Sequence, residues 1–136
     1  VNDWTTQVGD AIDRMEGRLR DVGKDLFEHP ELKFEEVHAS KRLAAELEAA
    51  GFQVELGVAG METAIRAVHP ASSDGPTVAI LGEYDALPEI GHACGHNLIA
   101  AGGLGAALLS DRSNRSFLAR CCSWGRRPRR VVAARC

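Results

Sequence analysis

Long apolar runs are missing from this chain. No stretch approaches the roughly 18 consecutive apolar residues of a membrane-spanning helix. The opening VNDWTTQVGDAIDRMEGRLR lacks the basic-then-apolar order of a secretion signal. Cysteine is scarce where a fold would use it: of the 4 cysteines, only Cys94 precedes residue 111. Residues 1–110 therefore cannot build a disulfide framework, which agrees with a reducing compartment and points to a cytoplasmic setting. The CxxC and HExxH metal signatures are absent, as is any internal repeat. No acidic residue follows Asp111 and no histidine follows His96.

What remains is a chain of 136 residues, 45% apolar and 26% charged, sized for one small domain or a piece of a larger one. Its net charge of -3 hides a division. Residues 1–110 carry 8 Lys/Arg against 18 Asp/Glu, a balance of -10. Residues 111–136 carry 8 Arg, no Lys and only Asp111, a balance of +7.

Trp4, Val8, Ile12, Met15, Leu19, Val22 and Leu26 recur at steps of three and four, which predicts an amphipathic helix from Trp4 to Phe27 with one buried stripe. Pro30 in HPEL ends it. A second helix is expected from about Glu35 to Ala50, burying Val37, Leu43, Ala44 and Leu47, with Gly51 as its C-terminal cap. Phe52, Val54, Leu56 and Val58 alternate as a strand does, and TAIRAVH (63–69) reads as its neighbour across a turn at Gly60. PASSDGP (70–76) reads as a loop. TVAIL (77–81) is the continuous apolar run of a strand covered on both faces. GEYDALPEIGHACGH is too rich in glycine, proline and charge to be regular, so it forms a loop at that strand's C-terminal end, where open α/β sheets bind ligands. A helix over Asn97–Leu109 follows.

That loop concentrates the chemistry. Thiolate and imidazole are strong ligands for zinc and similar metals, and Gly95 between Cys94 and His96 gives the backbone freedom to turn both toward one point. Glu83 and Asp85 stand upstream as an oxygen ligand or as a brace on a histidine's tautomer. The spacing fits equally a small buried thiol with incidental histidines. A redox thiol fits less well, since no resolving cysteine lies near. Gly103-Leu104-Gly105 begins a dinucleotide fingerprint, but Leu108 stands at the third glycine position and no strand precedes it directly. Small residues for close helix–sheet packing explain it better.

The segment HPELKFEEVHASKRLAAELEAAGFQVELGVAGMETAIRAV, followed by ILGEYDALPEIGHACGHNLIAAGGLGAALL, resembles the N-terminal part of the M20-type metallopeptidases. It is similar above all to the amidohydrolase branch, with its aminobenzoyl-glutamate hydrolases and its N-acyl-amino-acid or dipeptide hydrolases. The resemblance spans about residues 5–110. It implies an α/β fold: an incomplete three-layer zinc-peptidase-like catalytic domain, two N-terminal helices then strands. It implies a metal-dependent amidohydrolase with two divalent metals, zinc or manganese, acting on a small-molecule amide, with homo-oligomers among complete relatives and no membrane partner. On the matched positions, Cys94 and His96 become metal ligands, Cys94 in the bridging position, and Asp85 becomes the acidic residue that orients a ligand. Glu83 stands where other branches carry a ligand histidine, His92 is expected to support the ligands from behind, and Asn97 replaces an aspartate common in the branch.

The family's general-base glutamate, in a Glu-Glu pair, and its further Glu and His ligands lie downstream and have no counterpart in these 136 residues. An open catalytic site needs about three protein ligands per metal. After Ser110 the composition switches to Arg, Cys, Ser and Trp, as expected of a GC-rich gene read out of frame. Residues 1–110 are therefore expected to be the N-terminal part of the catalytic domain, and 111–136 a disordered, frame-shifted basic tail. On that expectation the chain is a truncated, inactive piece of an amidohydrolase. RRPRR (126–130) raises two other readings, a small nucleic-acid-binding protein or, without the tail, a non-catalytic metal-binding module. The mismatch of body and tail argues against the nucleic-acid reading.

Overall fold

Three helices and a four-stranded sheet make up the computed structural model, which describes residues 3–69, 79–112 and 131–134. Helix α1 (Asp3–Glu28) follows the apolar spacing and stops two residues short of Pro30. Met15, Val22 and Leu26 are buried, and Leu19 packs against the same core. The N-terminal half of the stripe departs from expectation: Trp4, Val8 and Ile12 are 48%, 41% and 44% exposed. Their face of the helix is left bare among the described residues.

Helix α2 (Val37–Ala49) buries Leu43, Ala44 and Leu47, but Val37, its first residue, lies exposed at the helix mouth. Gly51 follows the C-cap in the left-handed region, φ +87°. Strands β1 (Gln53–Leu56) and β2 (Ile65–Val68) pair antiparallel, Val54 opposite Ala67, through a 3-10 turn at Val58–Gly60. Ile65 and Ala67 alternate inward to the core, while Leu56 at the sheet edge is exposed.

Strand β3 (Ala79–Gly82) forms the other edge. It is not covered on both faces: Gly82 is buried and Ile80 half-buried on the side of the third helix, while Leu81 is 57% exposed. Only one face of the sheet is covered by helices among the described residues, so the layering is α/β and incomplete. Helix α3 (His96–Arg112) lies between α1 and β3. A Cβ added at Gly105 would sit 2.8 Å from Leu19 Cδ1, and one at Gly103 would sit 3.4 Å from the Leu81 carbonyl oxygen. Gly103 and Gly105 thus serve close packing on both sides of α3, whereas a Cβ at Gly102 would meet nothing within 4 Å.

A fourth strand, β4 (Val131–Ala134), completes the sheet. This strand pairs antiparallel with β2 and parallel with β3, giving the order β1-β2-β4-β3. Its two β-branched valines favour that conformation. The loop PASSDGP and the basic run RRPRR lie outside the described residues. No helix among the described residues is long and apolar enough to cross a membrane.

Candidate metal centre

Strand β3 hands the chain to Glu83, Tyr84 and Asp85, and the two-residue alternation of an extended backbone sorts their side chains. Tyr84 turns inward and is fully buried, its hydroxyl donating to the Thr63 carbonyl at 2.5 Å. Glu83 and Asp85 turn the opposite way, toward the start of α3.

The loop that follows is held at several points. The Ala86 N–H donates to the Glu31 carbonyl at 2.7 Å, which lays HPEL alongside it as an isolated bridge between Leu32 and Ala86. Leu87 and Gly91 exchange backbone hydrogen bonds of 2.9 and 3.1 Å, closing a turn. His92 and Gly95 close a second turn at 2.9 Å, and the Gly95 carbonyl then accepts from the Leu98 and Ile99 N–H groups to begin α3. Gly95 makes that change of direction at φ +80°, where a side chain would be strained.

His96, the first residue of α3, is thereby brought against the end of β3. Its Nδ1 lies 2.8 Å from Asp85 Oδ1 and 3.0 Å from the Asp85 carbonyl oxygen, both acceptors. Two acceptors on Nδ1 favour a proton on that nitrogen, the tautomer in which Nε2 can serve as a metal ligand. That Nε2 faces Glu83 Oε2 at 3.3 Å. His96 and Asp85 are mostly buried, whereas Glu83 is half exposed.

The other predicted residues divide. Cys94 is a free, exposed thiol. Three donor atoms within 4.8 Å of one another do not occur among Glu83, Asp85, Cys94 and His96. His92 is 5% exposed, and its Nδ1 has no partner among the described residues. Burial pushes its pKa below the usual histidine value, aided by the neighbouring His96 and opposed by a hydrogen bond to the Leu26 backbone and by the Asp85 charge. Asn97 is buried and donates to the Gly23 carbonyl of α1 at 3.0 Å, so it ties α3 to α1.

Two glutamates not singled out in the sequence hold this arrangement. The Glu31 carboxylate accepts from the His38 and Ala39 N–H groups at 2.8 and 2.9 Å, capping α2 from HPEL. Glu36, fully buried, accepts from the Phe34 N–H at 2.8 Å and the Thr63 hydroxyl at 2.5 Å, one step from Tyr84. Glu36 lies in an acidic pair at the helix start, a signal the sequence offered; Glu31 lies six residues before the helix and carries no such local signal.

No protein-family model matches the chain. The chain is 35% identical to a p-aminobenzoyl-glutamate hydrolase of Escherichia coli, over 74% of this chain and 24% of that protein. It is 42% identical to the Xaa-Arg dipeptidase of Mus musculus, over 75% of this chain and 26% of the relative. Among solved structures, a Bacillus subtilis protein described as a dinuclear metal binding peptidase from the M20 family superposes with a TM-score of 0.69 at 29% identity. The superposition covers 90% of this chain and 34% of that one. These are homologues, and the resemblance to the M20-type metallopeptidases holds in both sequence and fold. The chain spans about a quarter of the length of the curated relatives it matches.

Proposed function

We propose that these residues are part of a metal-dependent amidohydrolase of the M20 type. Its substrate would be the amide of a small N-acylated amino acid, a dipeptide or an aminobenzoyl-glutamate-like molecule. Within it, Cys94 and His96 hold divalent metal, zinc or manganese, and Asp85 orients His96. The observation that carries this reading is the 2.8 Å contact between Asp85 Oδ1 and His96 Nδ1. A carboxylate on the far nitrogen of an imidazole is how proteins aim a histidine at a metal.

The donor set fits a borderline divalent cation: a thiol at Cys94, an imidazole nitrogen at His96 and a carboxylate at Glu83. A bound cation pair supplies Lewis acidity, polarising a carbonyl and acidifying a water. Asp85 holds the Nδ1 proton and keeps the ring from rotating. Its negative charge also raises the electron density that Nε2 presents. Glu83, half exposed and facing His96 Nε2, would contribute an oxygen to the site. His92 stays neutral behind the loop, adding no positive charge next to the cations. The single thiol of residues 1–110 suits a reducing cytoplasm. Small-molecule amides as substrates and homo-oligomeric assembly are proposed for the whole protein.

Amide hydrolysis tests the reading on the complete protein. Turnover of N-acylated amino acids or dipeptides should be abolished by a chelator and by Cys94→Ala or His96→Ala, with the fold intact. Undiminished turnover in either variant would overturn it. The 136-residue chain alone, which supplies no general-base glutamate of the family pattern, should show no chelator-sensitive hydrolysis.

A further inference from the structure

A second cluster of metal-binding side chains lies where the end of α1 meets the start of α2, outside the centre described above. Asp25 on the last full turn of α1, His29 just past its end and His38 on the first turn of α2 each direct one donor atom to a common point. All three atoms fall within 4.8 Å of one another. His29 Nδ1 is 3.2 Å from Asp25 Oδ1, and His38 Nε2 is 2.9 Å from Asp25 Oδ2. The two rings lie with centroids 4.7 Å apart, tilted by 39°.

We propose that Asp25, His29 and His38 form a site for a borderline divalent cation such as zinc, nickel or cobalt. The spacing supports it. Ligands about 2.0–2.1 Å from a tetrahedral zinc stand roughly 3.3–3.4 Å from one another. The 2.9 and 3.2 Å contacts of the two imidazoles with Asp25 need shift by only a few tenths of an ångström, and the donor atoms of His29 and His38, within 4.8 Å of each other, close in by side-chain rotation. Two imidazoles and one carboxylate are a donor set of the right softness, and each has the freedom to adjust. His29 and His38 are 57% and 43% exposed, so the remaining positions on the ion are open to water.

Opposing charge sets the affinity. Arg42 Nε stands 3.5 Å from Asp25 Oδ2 and shares that carboxylate. Its guanidinium is drawn the other way by Glu46, one turn further along α2, which also pairs with Arg18. Arg42 therefore weakens cation binding without filling the site. His29 Nδ1 also contacts the Asp25 carbonyl at 2.9 Å, a bond that binding through that nitrogen exchanges for the metal. An ion here would clip α1 to α2 and stabilise the fold by ligand linkage.

The test uses the full chain carrying Cys94→Ala and His96→Ala, so that the other centre is silent, and zinc alone as the probe. Calorimetric titration should show one zinc bound, with a rise in melting temperature. Adding His38→Ala should weaken binding by about tenfold or more, since losing a ligand costs more than losing a ligand's outer partner. Arg42→Gln should tighten it. On the unsubstituted chain, zinc should shift the imidazole NMR signals of His29 and His38. The proposal is overturned if the Cys94/His96 variant binds no zinc, if His38→Ala binds as well as its parent, or if the His29 and His38 signals stay unmoved.

Discussion

Replacing Glu31 by alanine isolates a role that HPEL plays in the structure and that its position in the loop does not advertise. The carboxylate spans two backbone N–H groups at the start of α2, those of His38 and Ala39, at 2.8 and 2.9 Å. Those donors belong to the first turn, which has no partners inside the helix, and the N-cap residue Glu36 makes no side-chain cap. Loss of a single N-cap acceptor costs about 0.5–2 kcal/mol. Two charge-assisted bonds to one carboxylate come to about 2 kcal/mol. For a domain near 100 ordered residues, about 4 °C per kcal/mol converts this to a fall of roughly 8 °C in melting temperature. Glu31→Gln keeps one oxygen acceptor and should lose about half as much. Glu28→Ala, whose ion pair with Lys24 spans 3.7 Å on an exposed face, should move the melting point little. The Ala86 bond uses the Glu31 backbone carbonyl, so metal affinity at His96 should be unchanged. Thermal melts of the three variants decide the matter. A Glu31→Ala protein as stable as its parent would refute the capping argument.

Asp85→Asn should lower zinc affinity at His96 by about 10–100-fold while leaving thermal stability near that of the parent, as titration and melting would show; unchanged affinity would remove Asp85 from the site. Glu36→Ala deletes a fully buried acceptor shared by Phe34 and Thr63 and should cost about 3–4 kcal/mol in denaturant unfolding, with Glu36→Gln costing less. His92 is held neutral by burial, its folded pKa lying below the unfolded value of 6.5. In chelator-treated protein its contribution is therefore fully present above pH 6.5 and is lost as pH falls toward the folded value, because the unfolded chain takes up the proton first. His92→Gln should flatten that acid limb of the stability curve, and an unchanged limb would assign the loss to other groups.

Much of this fold is written in periodicity. The three-and-four spacing of Met15, Leu19, Val22 and Leu26 places α1, Pro30 ends it, and the alternation around Val54 and Ala67 gives a hairpin. Periodicity does not report what covers a stripe. Trp4, Val8 and Ile12 share the spacing of the buried residues yet face outward, and Leu81 sits in an apolar run on an uncovered sheet face. At the site, the order of EYDALPEIGHACGHN placed Asp85 beside His96, because a strand end and a helix start are joined by a loop of fixed length. Asn97 was legible only as a motif position; its bond to Gly23, 74 residues earlier in the chain, is a tertiary contact that no local pattern encodes. The same holds for Glu36, whose partner Thr63 lies 27 residues away. Val131–Ala134 is four residues with too little context to read as a strand, and it becomes one by pairing on both sides.

Cys94 and His96 as joint ligands of one metal centre can be read from zinc X-ray absorption on the full chain. Cys121, Cys122 and Cys136 would be replaced by serine and His38 by alanine, leaving Cys94 the only thiol. A sulfur shell at about 2.3 Å beside an imidazole shell at about 2.0 Å is expected. The sulfur shell should vanish in Cys94→Ser, and imidazole scattering should fall in His96→Ala. A zinc shell of nitrogen and oxygen alone, or a sulfur shell that survives Cys94→Ser, would contradict the proposed centre.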